Sequence, residues 1–90
     1  MAIYVIGYDI HPKVGETYDE LTKAIKAIGP WWHCLDSTWL VKSELSAEQV
    51  RDIVLAKMKN NDQLLVVTYS RAAAWAGFNE ECNSWLRNNL

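Results

Sequence analysis

Two stretches of the chain carry residues of the types that do chemistry. The first is residues 31–41, WWHCLDSTWLV, in which three tryptophans, a histidine and a cysteine fall within eleven positions. A His beside a Cys invites a base-and-nucleophile pair. Adjacent residues of a strand point to opposite faces, however, so His33 and Cys34 meet only if a bulge falls between them. A buried thiol and a hydrogen-bonded imidazole is the better expectation. Zinc is disfavoured too: His11, His33, Cys34 and Cys82 show neither C-x-x-C nor H-x-x-x-H spacing. The second stretch begins at Asp9, followed by the polar loop His11-Pro12-Lys13-Val14-Gly15-Glu16. A strand-end carboxylate either caps the loop after it or, with a substrate phosphate and water, holds a magnesium ion. Loops at sheet ends carry ligand contacts, which makes 11–16 the best functional loop by position.

The elements that position these residues follow from pattern. Residues 2–10, AIYVIGYDI, read as a strand apolar on both faces, and 63–69, QLLVVTY, as another. Tyr18, Leu21, Ala24, Ile25 and Ile28 make one helical stripe, with Thr17 and Glu20 spaced as a capping box and Gly29-Pro30 as the stop. Residues 31–43 read as a strand pair turning at Asp36-Ser37. Ser46 and Gln49 form a second capping box, and Val50, Ile53, Val54 and Met58 with Ala47 line the core face of a second helix ended by Asn60-Asn61-Asp62. Residues 71–78 are a short linker, and Asn79 caps a last helix carrying Cys82, Trp85, Leu86 and Leu90 on one side. The order βαββαβ plus a helix predicts one domain, 1–90: a ferredoxin-like α+β sandwich over 2–69 with a C-terminal extension over 70–90.

Both main helices then cover one sheet face. The second face, apolar on the first and last strands of the chain, needs the C-terminal helix and a second copy of the chain, so a homodimer or higher oligomer is expected. Alternation also sends Trp31 and Trp32 opposite ways, one under the helices and the other outward to stack on a base or complete an interface. Composition limits the partners. The formal charge is −2 and the nine Lys and Arg residues form no run, which disfavours tight binding of long nucleic acid but not of a phosphorylated small molecule or short RNA. Tyr4, Tyr8 and Trp39 sit where RNA-recognition modules carry aromatics, but STWLVKS lacks that module's K/R-G-F/Y-G/A-F pattern. The opening MAIYVIGYDI has no basic n-region, no stretch reaches the roughly 20 apolar residues of a membrane span, and the expectation is a cytoplasmic chain with free thiols and no membrane partner.

The strand ending Tyr8-Asp9-Ile10, the βαββαβ order and the strand Ser37-Thr38-Trp39-Leu40-Val41 resemble the small dimeric CRISPR-associated nucleases of the adaptation machinery. They also resemble that family's looser relatives, the VapD toxins and the bacterial and phage proteins labelled SinR-like. WWHCLDSTWLV is most similar to the last group, and the similarity covers roughly residues 2–69. The resemblance implies a toxin–antitoxin, defence or counter-defence setting. In the nuclease members an Asp at the end of the first strand binds a divalent metal, which carries over to Asp9. Here Asp9 is the only acid at its strand end and no arginine follows soon after.

The expectation favoured on these grounds is a homo-oligomeric, non-catalytic binding protein for a nucleotide-like small molecule or short RNA, which it regulates or sequesters, with no cofactor. Its pocket lies between subunits, walled by Trp and Tyr and gated by the 11–16 loop, with ligand contacts from Tyr8, His11, Lys13, Trp32, His33, Ser37, Thr38 and Arg71. The alternative is a magnesium-dependent endonuclease acting on RNA or DNA, with Asp9 of two subunits as catalytic and metal-binding residue.

Overall fold

A computed structural model describes all residues 1–90. The chain runs β1 (Ala2–Asp9), α1 (Asp19–Ile28), β2 (Trp31–Leu35), β3 (Thr38–Ser43), α2 (Ala47–Leu55), β4 (Gln63–Thr68) and α3 (Glu80–Asn89). The four strands form one antiparallel sheet in the order β2-β3-β1-β4. This is a small α+β domain, with α1 and α2 on one sheet face and α3 on the other.

Alternation along β1 divides the core in two. Tyr4 and Ile6 face α1 and α2, where they pack with Leu21, Ile25, Trp39, Val41, Val50 and Val54. Ile3 faces the other way and packs with Trp32, Leu40 and Leu86 of α3. The register carries this division across the sheet, pairing Tyr4 with Val41 and Ile6 with Trp39, but Val5 with Leu40. β1 is thus covered on both faces. β4 is not: Leu64 and Val66 pack under α2, whereas Leu65 and Val67 on the second face stay exposed.

Local signals set most element ends. The hairpin turns at Asp36-Ser37 as expected, with a register shift between Trp32 and Leu35. The Ser46–Gln49 capping box is made in both directions, by the Ser46 N–H to Gln49 Oε1 (2.9 Å) and the Gln49 N–H to Ser46 Oγ (3.1 Å). Asn79 caps α3 by accepting from the Cys82 N–H. A Cβ at Gly29 would lie 2.0 Å from the Lys42 carbonyl oxygen, so only glycine lets α1 stop there and β2 begin beside β3.

Three expectations are corrected. The Thr17–Glu20 capping box does not form: Tyr18 takes the N-cap position without a side-chain cap, and its phenol donates to Asp62 (2.8 Å). Asp19 and Glu20 in the first turn still complement the helix dipole. α2 ends at Leu55, ahead of Asn60-Asn61-Asp62, and Ile53 looks outward while Val50 and Val54 are fully buried. The cysteines are not free. Alternation places Cys34 on the second face, where α3 lies, and Cys82 sits one turn before the buried Leu86; the two form a disulfide with Cα atoms 6.4 Å apart across 48 residues. The cytoplasmic expectation leaned on free thiols, and that ground is gone, since disulfides persist mainly in oxidising compartments. No helix is long and apolar enough to cross a membrane.

Candidate functional site: an aromatic cavity on the second sheet face

The expected site residues separate into four places. Tyr8, His33, Ser37 and Thr38 gather around Trp39 at the hairpin end of the sheet. His33 stacks on the Trp39 ring, centroids 3.8 Å apart and planes 5° from parallel, and its Nδ1 lies 3.1 Å from the Thr38 carbonyl. A carbonyl only accepts, so Nδ1 carries the proton. The Trp39 Nε1–H donates to the Tyr8 hydroxyl (3.0 Å), and the Tyr8 N–H to the Ser37 carbonyl (3.1 Å). Trp31 tilts against Trp39 at 5.4 Å, with the Lys26 ammonium 4.7 Å over its ring. Trp39 is buried, so this group is a packed aromatic ladder in which the Trp39 and Tyr8 polar groups and His33 Nδ1 already have partners.

His11 and Lys13 belong to a second group. The His11 N–H donates to Asp62 (3.1 Å) and the Lys13 N–H to Glu16 (2.7 Å), while Lys59 bonds Glu16 through its ammonium and Asp62 through its N–H (2.9 Å). The Lys59 ammonium and the Lys13 N–H hold the Glu16 carboxyl below its ordinary range, and Glu16 in turn raises the Lys59 ammonium. Burial works against the Asp62 carboxylate, but the Lys59 N–H, the Tyr18 phenol and the His11 N–H outweigh it and lower its pKa. Burial and then the bond to Asp62 raise the Tyr18 phenol. These ties make the 11–16 loop an anchored corner. It lines no part of the cavity described below.

Asp9 lies exposed opposite Gln63 at the edge of β1. The hollow beside it is formed by Gly7, Tyr8, Gln63, Leu64 and Leu65, which add an amide and a phenol but no second carboxylate. Nowhere in the chain are three His, Cys, Asp or Glu side chains grouped as metal ligands. Asp9 thus offers one carboxylate per chain, and a magnesium ion there would need a substrate phosphate, water or a second copy's Asp9 for its remaining ligands. His33 and Cys34 face opposite ways as alternation requires, and the disulfide removes the nucleophile.

Trp32 marks the fourth place, where the largest apolar hollow lies; Arg71 does not line that hollow but directly precedes its first rim residue, Ala72. Trp32 is buried on the second face, edge-on to Phe78 at 5.0 Å, and its Nε1–H donates to the Cys82 carbonyl (3.2 Å). Of the adjacent pair, the more exposed ring is Trp31, on the helix side. Beside Trp32 opens a cavity of about 430 Å³ between the sheet and the segment joining β4 to α3. Its floor is Val5, Thr38 and Leu40, its walls Trp32, Tyr69 and Phe78, and its rim Ala72 to Ala76 with Trp75; Leu86 and Leu90 of α3 close one end. Arg71 (φ 64°) and Gly77 (φ 89°), both left-handed, bend the chain at either end of this strap. Sequence reading treated 71–78 as a linker. The signal was there, because AAAWAGF over 72–78 contains no polar side chain, which a solvated linker would have.

Compared with family models, with curated proteins and with solved structures, the chain finds no match. The resemblance drawn from its strand motifs therefore rests on those residues alone.

Proposed function

We propose that the chain is a homo-oligomeric, non-catalytic binding module whose ligand is a nucleotide-like small molecule or the end of a short RNA. One observation carries the reading: a cavity of about 430 Å³ walled by Trp32, Tyr69, Trp75 and Phe78. Small-molecule sites have volumes of roughly 300–1,000 Å³ and mostly apolar walls with few polar groups. Aromatic walls accept any base by its π-face, worth about 1–3 kcal/mol per stacked base. Arg71 directly precedes the cavity rim at Ala72 and supplies a guanidinium for a phosphate. The domain itself is read as ferredoxin-like with an added C-terminal helix. The sheet order taken from its other edge, β4-β1-β3-β2, with α1 and α2 on one face, supports that.

A thermal-shift panel of nucleosides, nucleotides and short RNAs tests the function. At least one is expected to raise the melting temperature, less so in Trp75→Ala and Arg71→Gly. Both substitutions leave the core alone, and glycine suits the left-handed backbone at 71. The reading fails if no member of the panel binds. It is replaced by the endonuclease if RNA or duplex DNA is cut with magnesium and Asp9→Asn abolishes the cut.

A further inference from the structure

β4 is a sheet edge, and its outer side has free main-chain groups. The Tyr69 N–H donates to the Ile3 carbonyl (2.7 Å), which fixes the phase of the antiparallel β1–β4 ladder. Bonded and non-bonded pairs alternate, so Val67 and Leu65 bond inward to Val5 and Gly7, while Leu64, Val66 and Thr68 direct N–H and C=O outward. Solvated edges are normally protected by lysine, proline, a bulge or an inward charge. QLLVVT has none of these. Its second-face side chains, Leu65 and Val67, are 63% and 42% exposed. On the helix side, Glu48 and Arg51 of α2 border the groove over Leu64–Val66.

We infer that β4 pairs antiparallel with β4 of a second copy, about a twofold axis through Val66, into one eight-stranded sheet. This register uses every outward group: Leu64 meets Thr68, and Val66 meets its own copy. It also sets Leu65 of one copy directly opposite Val67 of the other, as non-hydrogen-bonded pairs in which side chains lie closest, and so covers the two exposed apolar residues of the strand. The axis passes the level of Glu48 and Arg51, so the antiparallel α2 helices bring Glu48 of one copy toward Arg51 of the other. Each element of the edge thus meets its complement in an identical chain, which no unrelated partner need provide.

Two consequences separate this dimer from other arrangements. Asp9 pairs with Gln63, three residues from the axis, so the two Asp9 carboxylates stand about 25 Å apart by strand rise and spacing. The dimer therefore builds no shared Asp9 site. Both aromatic cavities stay open on the same side of the joined sheet.

The inference deepens the oligomer half of the proposed function and leaves the ligand half independent. The test is light scattering after gel filtration of the oxidised chain at concentrations up to about 0.5 mM, because a six-residue edge with its α2 margin falls in the small, dissociable class of interfaces. Wild type is expected at twice the chain mass at the upper end, and Leu65→Lys at the chain mass with an unchanged melting temperature. Leu65→Lys/Val67→Glu, which sets opposite charges across each pair, restores the dimer; Leu65→Lys/Val67→Lys does not. A wild type at the chain mass throughout overturns the oligomer reading together with this interface. A wild-type dimer that survives Leu65→Lys/Val67→Lys overturns this interface alone. Ligand stabilisation in the monomeric variant is read separately and tests only the cavity.

Discussion

Cutting the Cys34–Cys82 disulfide is the perturbation whose size the structure fixes best. The bond closes a loop of 48 residues, for which the chain-entropy relation gives about 4 kcal/mol of stabilisation as an upper figure. What else holds α3 is modest. Leu86 is its one fully buried residue, worth about 1.5–3 kcal/mol. The Trp32 bond to the Cys82 carbonyl adds about 1 kcal/mol. Against this stands the ordering of the strap and helix, at about 1–2 kcal/mol of backbone entropy per residue, returned only in part by helical hydrogen bonds. Without the tether, docking of α3 is near balance, so the loss appears first as local undocking and only then as weaker global stability. The assay compares oxidised wild type with Cys34→Ser/Cys82→Ser by urea denaturation and by amide hydrogen exchange. The unfolding free energy is expected to fall by about 2–4 kcal/mol. Amides of α3 lose protection while those of β1 and β3 keep theirs, and tryptophan emission shifts red as Trp32 is wetted. Leu86 and Leu90 close one end of the cavity, so ligand affinity falls with the tether. Stability within about 0.5 kcal/mol of wild type, with α3 still protected, would refute the reasoning.

Other outcomes follow from single positions. Gly29→Ala drives a methyl into the Lys42 carbonyl and is expected to cost about 1–3 kcal/mol, read from the urea midpoint. Gly7→Val adds a side chain where nothing lies within 4 Å, on a strand that favours β-branched residues, and is expected to raise stability by up to about 1 kcal/mol in thermal melts. Trp39→Phe keeps most of the ladder but removes the donor to the Tyr8 hydroxyl, for a loss of about 1 kcal/mol beyond that of the smaller ring. Glu16 and Asp62 have lowered folded-state pKa values, so their stabilisation is complete above the unfolded carboxylate range and is lost as pH falls through the folded values. The His11 and Lys13 amides, which donate to those carboxylates, are therefore expected to lose protection, measured against their intrinsic exchange rates, as pH falls, and Asp62→Asn to produce the His11 change already at neutral pH.

What could be read from the chain was what neighbours in sequence decide. The turn at Asp36-Ser37, the Ser46–Gln49 box and the Asn79 cap each need only residues within three or four positions, and each forms. Thr17 carries the same kind of signal as Ser46 and fails: the helix starts one residue later, behind Tyr18, whose phenol donates to Asp62, distant in sequence. The cavity failed for a related reason: the apolar run at 72–78 has no periodicity of its own, and only the placement of α3 turns it into a wall. In WWHCLDSTWLV the two kinds of information meet. Strand alternation separates His33 from Cys34 and removes a catalytic pair. The same alternation sends His33 onto Trp39 among the helix-side aromatics, and Cys34 onto the face where α3 lies. Local pattern told which residues part company; only the path of the remaining chain could tell that Cys34 finds Cys82, and that Trp32, beside it, borders the largest apolar cavity in the fold.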